Sequence, residues 1–236
     1  MIHSALSDSL TSLLGLEHVP TAITFHDELP DDGVPRFDEP MSEPTEDGRS
    51  GRAAAPCVFW MPAQQRTFDT LAEDHGNSSA GRFTHGLAEA ADILDKSDVA
   101  ALLDVGWVTK EAFGGVAAMS RRPKGVRYGP LSKAQSDPDV VLLRVTPRQM
   151  MEINDAVQVD WSGKPQCQIL PKAAEQGVIA VSMGCALSRA RTGMGDDELT
   201  VAVPGHRVIE LVDALQPVTA ADGAVVGYAA ADLTRF

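Results

Sequence analysis

Cysteine is scarce in this sequence, and its scarcity excludes a disulfide-stapled scaffold. Cys57, Cys167 and Cys185 are the only three in 236 residues, and they lie far apart, whereas disulfide frameworks use more, and more closely spaced, cysteines. Basic residues are also in short supply. The 20 Lys and Arg face 33 Asp and Glu, a formal charge of −13, which repels polyanions and argues against nucleic acid as a partner. Long apolar runs are missing too. No segment approaches the roughly 18 to 20 residues that span a bilayer, and the opening MIHSALSDSLTSLLG lacks the basic region and apolar stretch of an export signal. These absences predict a cytoplasmic protein with no membrane partner.

The composition that remains is that of a globular chain, with 44% hydrophobic and 22% charged residues. Its length accommodates one large domain or two intimately packed halves. Residues 1–26 read as a helix and a strand of the core, with Leu6, Leu10, Leu13 and Leu14 at helical spacing and a strand over Val19 to Phe25. Residues 27–54 read as an acidic, proline-rich surface loop: nine acidic residues and one basic residue, Arg36, fall between Asp27 and Asp47, with Pro30, Pro35, Pro40 and Pro44 among them. Residues 55–236 form the remainder of one globular domain. Phe83, Leu87, Ala91 and Leu94 predict a helix over Gly81 to Leu94, and Asp139–Val145 is the clearest strand. Pro147 starts a helix that places Met150, Ile153 and Val157 on one face. Short strands over Val178–Ser182 and Thr200–Val203 and a helix over Arg207–Leu215 follow. The alternation predicts an α/β or α+β fold, a mixed sheet with packed helices.

An internal correspondence links the cysteines. Cys57-Val-Phe-Trp-Met-Pro62-Ala matches Cys167-Gln-Ile-Leu-Pro171-Lys-Ala, and Ser78 to Arg82 to Gly86 repeats the offsets of Cys185 to Arg189 to Gly193, four and eight residues. The gaps between the paired elements, 21 and 18 residues, differ by an amount that a loop absorbs cheaply. One reading is a pseudo-twofold internal duplication that brings Cys57, Ser78, Cys167 and Cys185 around one centre; chance similarity is the other. Three thiolates and a hydroxyl suit an iron–sulfur cluster or another thiophilic metal. Against that stand the absence of a compact Cys-x-x-Cys spacing and the tendency of free cysteine to pack as a small hydrophobe.

The residues Asp74-His75-Gly76-Asn77-Ser78 through Thr84-His85-Gly86, the stretch Pro138–Leu142, and Ser182-Met183-Gly184-Cys185 through Arg189, Thr192-Gly193 and Asp196-Asp197-Glu198 resemble the DUF169 family of uncharacterised proteins. The resemblance covers most of the chain outside the acidic loop and implies no reaction. It implies that Cys57, Cys167 and Cys185 match recurrent cysteines of the family. The position of Ser78 usually carries cysteine in an Asn-Cys-x-x-Gly-like element, so this chain departs from a four-thiolate set.

Other chemistry is available to the same segments. His75 and His85 are candidate acid–base groups or nitrogen ligands, and with either as base Cys185 would be a nucleophile; an ordinary polar turn is the plainer reading. Arg189 and Arg191, within a glycine-flanked turn, suit a small anionic ligand, or pair with Asp196, Asp197 or Glu198. Those three acids are weak candidates for a hard cation, since no EF-hand spacing accompanies them. Three functions therefore stand: a redox-associated protein with Cys57, Cys167 and Cys185 as metal ligands and Ser78 and Arg189 bordering the cofactor; a non-catalytic small-ligand or metal-sensing module; and a metal-free cysteine/histidine enzyme.

Overall fold

The run Val140–Val145 is buried at every position, and a strand buried on both faces needs cover on both sides. The computed structural model, which describes residues 2–38, 53–94 and 97–234, supplies that cover. Its strands are β1 (Thr21–His26), β2 (Phe68–Leu71), β3 (Gly125–Pro130), β4 (Val140–Val145), β5 (Asp160–Trp161), β6 (Ala180–Ser182) and β7 (Leu199–Pro204). Its helices are α1 (Ile2–Leu14), α2 (Pro56–Phe59), α3 (Ser79–Thr84), α4 (Ala90–Ile93), α5 (Ser97–Asp104), α6 (Lys110–Gly114), α7 (Pro147–Ala156), α8 (Ile169–Gln176), α9 (Ala186–Thr192) and α10 (Val208–Ala230). The strands form one seven-stranded mixed sheet in the order β2-β3-β1-β4-β7-β6-β5, antiparallel except for β5 with β6.

Alternation along β4 divides the core in two. Val141, Leu143 and Val145 pack with Leu10 and Leu14 of α1, Met150 and Ile153 of α7, and Leu211 and Leu215 of α10. Val140 and Leu142 face the opposite layer, with Phe59 of α2, Ile169 and Leu170 of α8, and Phe25, Phe68 and Tyr128 from the sheet. Thr146 caps α7 through Gln149 N, and Gln149 answers by accepting from Thr146 N, a reciprocal arrangement that satisfies two otherwise orphaned donors.

The sequence reading departs from this structure in several places. The predicted helix over Gly81 to Leu94 is two helices, α3 and α4, because Gly86 turns left-handed at φ 70° and a Cβ there would stand 2.5 Å from Arg121 O. The last helix runs to Ala230 instead of Leu215; Leu215 is the last residue of α10 that is buried, so the periodic signal stops there. Strands β2 and β5 carry little apolar pattern. Asp69 of β2 is buried because Arg127 of β3 binds both of its carboxylate oxygens at 2.8 Å.

Arg127 also binds Asp32 at 2.6 and 2.9 Å, and those hydrogen bonds pull the Asp32 carboxyl down to about 2. Phe37 N and Asp69 N exchange backbone hydrogen bonds across the same edge, with Asp69 O and Pro35 O as acceptors. The start of the acidic segment is thereby tied to β2; residues 39–52 lie outside the described residues. An internal duplication is not shown by this fold: the second half inserts α7 and β5 between β4 and α8, which the first half does not match among the described residues.

Gly205 follows β7 and donates to Asp139 O at 2.9 Å. A Cβ at this position would collide with Pro138 O, backbone that cannot swing away. Gly205→Ala is expected to destabilise the protein by about 1–3 kcal/mol, read as a lower urea midpoint at unchanged m-value; an unchanged midpoint would show that the 138–139 turn gives way freely.

Candidate functional site

Four chain segments start their helical turns at one cavity. Pro56 occupies the first turn of α2, where its missing N–H costs nothing, and Cys57 follows it. Cys167 sits at the corresponding position of the 3₁₀ turn Gln166–Gln168 that leads into α8. Ser78 caps α3, its Oγ accepting from Gly81 N at 3.2 Å. Cys185 caps α9 in the same way, its Sγ accepting from Ser188 N at 3.4 Å. All four side chains line one cavity of about 40 Å³. The pairing read from the sequence is met locally: Cys57 with Cys167 inside a first turn, Ser78 with Cys185 at a cap.

The thiols differ in environment. Burial pushes the Cys57 thiol up, against the opposing influence of Ser188 and the Arg191 cation. Burial raises Cys167 to about 12, with Thr84 beside it working the other way. By solvent exposure Cys57 is buried and Cys167 and Cys185 are half-buried. The raised Cys57 and Cys167 thiols are protonated at neutral pH. Arg191 lines the cavity. Among the described residues, no group of three or more His, Cys, Asp or Glu side chains stands close enough to hold a metal ion. The donors that suit a soft ion share a cavity without being closed around a point within it.

His75 and His85 lie outside the cavity lining, in an aromatic nest with Phe25, Phe59 and Tyr128. The Thr70 hydroxyl donates to Val126 O at 2.9 Å, so His75 Nε2, also 2.9 Å from that hydroxyl, is the donor to it. His75 Nδ1, His85 Nε2 and Tyr128 Oη are buried without a hydrogen-bond partner among the described residues. No hydrogen bond joins a histidine to any of the three cysteines there, so the base and nucleophile of a cysteine/histidine enzyme are not in contact.

Arg189 spends its guanidinium on the carbonyls of Met183, Gly195 and Glu198. It braces the segment carrying Cys185 and borders a separate cleft of about 610 Å³, lined also by Met150, Met151, Trp161 and Met183. Glu198 pairs with Arg144 at 2.6 Å and with His18 at 2.9 Å; burial opposes its charge, and the Arg144 hydrogen bond overcomes that and holds its pKa down. Gln166, Ser188 and Arg191 also line the thiol cavity. Ser188 and Arg191 fall within the Gly184–Gly193 turn, whose arginines the sequence already marks for an anion; Gln166 precedes Cys167, and nothing in its residue type distinguishes it until the cavity is seen.

Burial depresses both histidines, His75 well below 6.5 and His85 to about 4. An unfolded chain takes up protons below 6.5 that the folded one refuses. The stability each contributes is complete above that value and lost as pH falls, for His85 through about 4. The expected slope is about 1.4 kcal/mol per pH unit per histidine. Urea unfolding at pH 7, 6 and 5 should show it, and His85→Leu should flatten the slope by one histidine's share; an equal slope in both proteins would show that His85 titrates normally.

No curated protein and no solved structure matches the chain. A family model does, over residues 9–214: DUF169, described as an uncharacterised ArCR group. That span includes every strand of the sheet and all four positions around the thiol cavity, and the chain belongs to the DUF169 family.

Proposed function

We propose that this chain is a redox-associated protein whose cavity holds a thiophilic group, an iron–sulfur cluster or a single soft metal ion. The observation that carries the reading is the convergence of Cys57, Cys167 and Cys185, from three separate segments, on one cavity. Sulfur donors select soft ions and iron–sulfur clusters. Cys57, Cys167 and Cys185 would be the ligands, and Ser78 would border them where a fourth thiolate is lacking. Arg191 would offset the negative charge that the thiolates bring. An iron–sulfur cluster bound there would supply one-electron transfer.

Anaerobically purified protein carrying no metal-binding tag is expected to contain stoichiometric metal, with acid-labile sulfide if the group is a cluster. Cys57→Ala, Cys167→Ala and Cys185→Ala should each lose most of it. A folded protein free of metal after anaerobic reconstitution would remove the reading. Because burial holds Cys57 and Cys167 protonated, loading releases protons, and affinity rises with pH by up to about tenfold per unit for each proton released. Competition between the protein and a chelator for zinc at pH 6.5 and 7.5 measures this; pH-independent affinity would show that the buried thiols are not ligands.

A further inference from the structure

The thiol cavity contains two buried polar atoms that the proposed ligand set does not use. Gln166 is 1% exposed, and its amide orientation follows from its neighbours. Thr200 donates its hydroxyl hydrogen to Ser182 O at 3.4 Å, so it accepts from Gln166 Nε2 at 2.6 Å. Oε1 is therefore the end of the amide left without a partner, a bare acceptor on a residue that lines the cavity. Ser188 is 2% exposed; its Oγ lies beside the Cys57 thiol without a well-directed hydrogen bond. Neither oxygen has a hydrogen-bond partner among the described residues, and both residues line the cavity with the three cysteines. Buried polar groups are almost always satisfied, so each such exception calls for a missing partner.

We infer that this pair makes the cavity a site for a small neutral molecule of the primary-amide type. Its N–H would donate to Gln166 Oε1, and its carbonyl oxygen would accept from the Ser188 hydroxyl. The cavity, about 40 Å³, has room for a ligand of a few heavy atoms. Placed there, the molecule lies against the thiols, which makes the site open to an exogenous ligand instead of sealed by protein donors. The inference rests on the cavity being the functional site.

Formamide, titrated into the full-length protein as purified, is the probe. Acetonitrile, with the same number of heavy atoms and no N–H, is its control. Formamide is expected to shift the Gln166 side-chain and Ser188 backbone amide resonances saturably, with an affinity about tenfold above that of acetonitrile. Ser188→Ala should weaken formamide about three- to tenfold. That variant removes a small hydroxyl that has the Cys57 thiol beside it and no well-directed hydrogen bond, so the fold is expected to persist. Gln166→Met, which also gives up the bond to Thr200, is the second variant. Equal responses to the two probes, or unweakened formamide binding in Ser188→Ala, would overturn the inference. Stoichiometric metal together with indifference to formamide would sink this inference alone. Selective formamide binding in a protein that takes up no metal would support it while removing the cofactor reading.

Discussion

The pairing of β1 with β4 at the middle of the sheet is the contact on which the thiol cavity depends. Cys57 and Ser78 lie between β1 and β3, and Cys167 and Cys185 lie between β4 and β7. The antiparallel register of Ala22 with Val141 joins the two sets of strands, and the layer containing Phe59, Ile169 and Leu170 lies across that junction. No single half could assemble the site. A strand pair buried on both faces is also costly to open, because its backbone hydrogen bonds and two apolar layers are lost together. The geometry of the cavity thus inherits the rigidity of the most buried part of the molecule.

The strands that were legible in the sequence are those whose apolar residues meet core on both sides. Val140–Val145 and Leu199–Pro204 are buried throughout, and their composition alone separates them from their surroundings. Asp69 and Trp161 defeat the same reasoning: one is a buried charge held by Arg127, the other an exposed aromatic on a two-residue strand. The convergence of the cysteines was legible through matched offsets around Ser78 and Cys185, since equal local spacing placed both at caps. Gln166 and Ser188 were illegible because what distinguishes them is a missing partner, a property of the folded neighbourhood and not of residue type.

The cavity wall carries costs that a purely structural core would avoid. Leaving a buried acceptor or hydroxyl without a partner costs about 1–3 kcal/mol, and Gln166 Oε1 and Ser188 Oγ both stand in that condition among the described residues. His75 Nδ1, His85 Nε2 and Tyr128 Oη add to it nearby. Such concentrations of unmet hydrogen bonding are expected where a site has been shaped for something other than stability.

The brace that Arg189 makes across Met183, Gly195 and Glu198 gives the three thiols unequal standing. Cys57 belongs to the aromatic core layer, and Cys167 leads directly into α8, whose Ile169 and Leu170 are fully buried. Cys185 instead rides on a short helix strapped into a single unit by one side chain. That unit is anchored to the sheet at both ends, since Met183 follows β6 and Glu198 precedes β7, and it packs against α2. Cys167 and Cys185 are both half-buried, so electrophiles and oxidants arriving from solvent would meet those two sulfurs before Cys57, which the core layer covers.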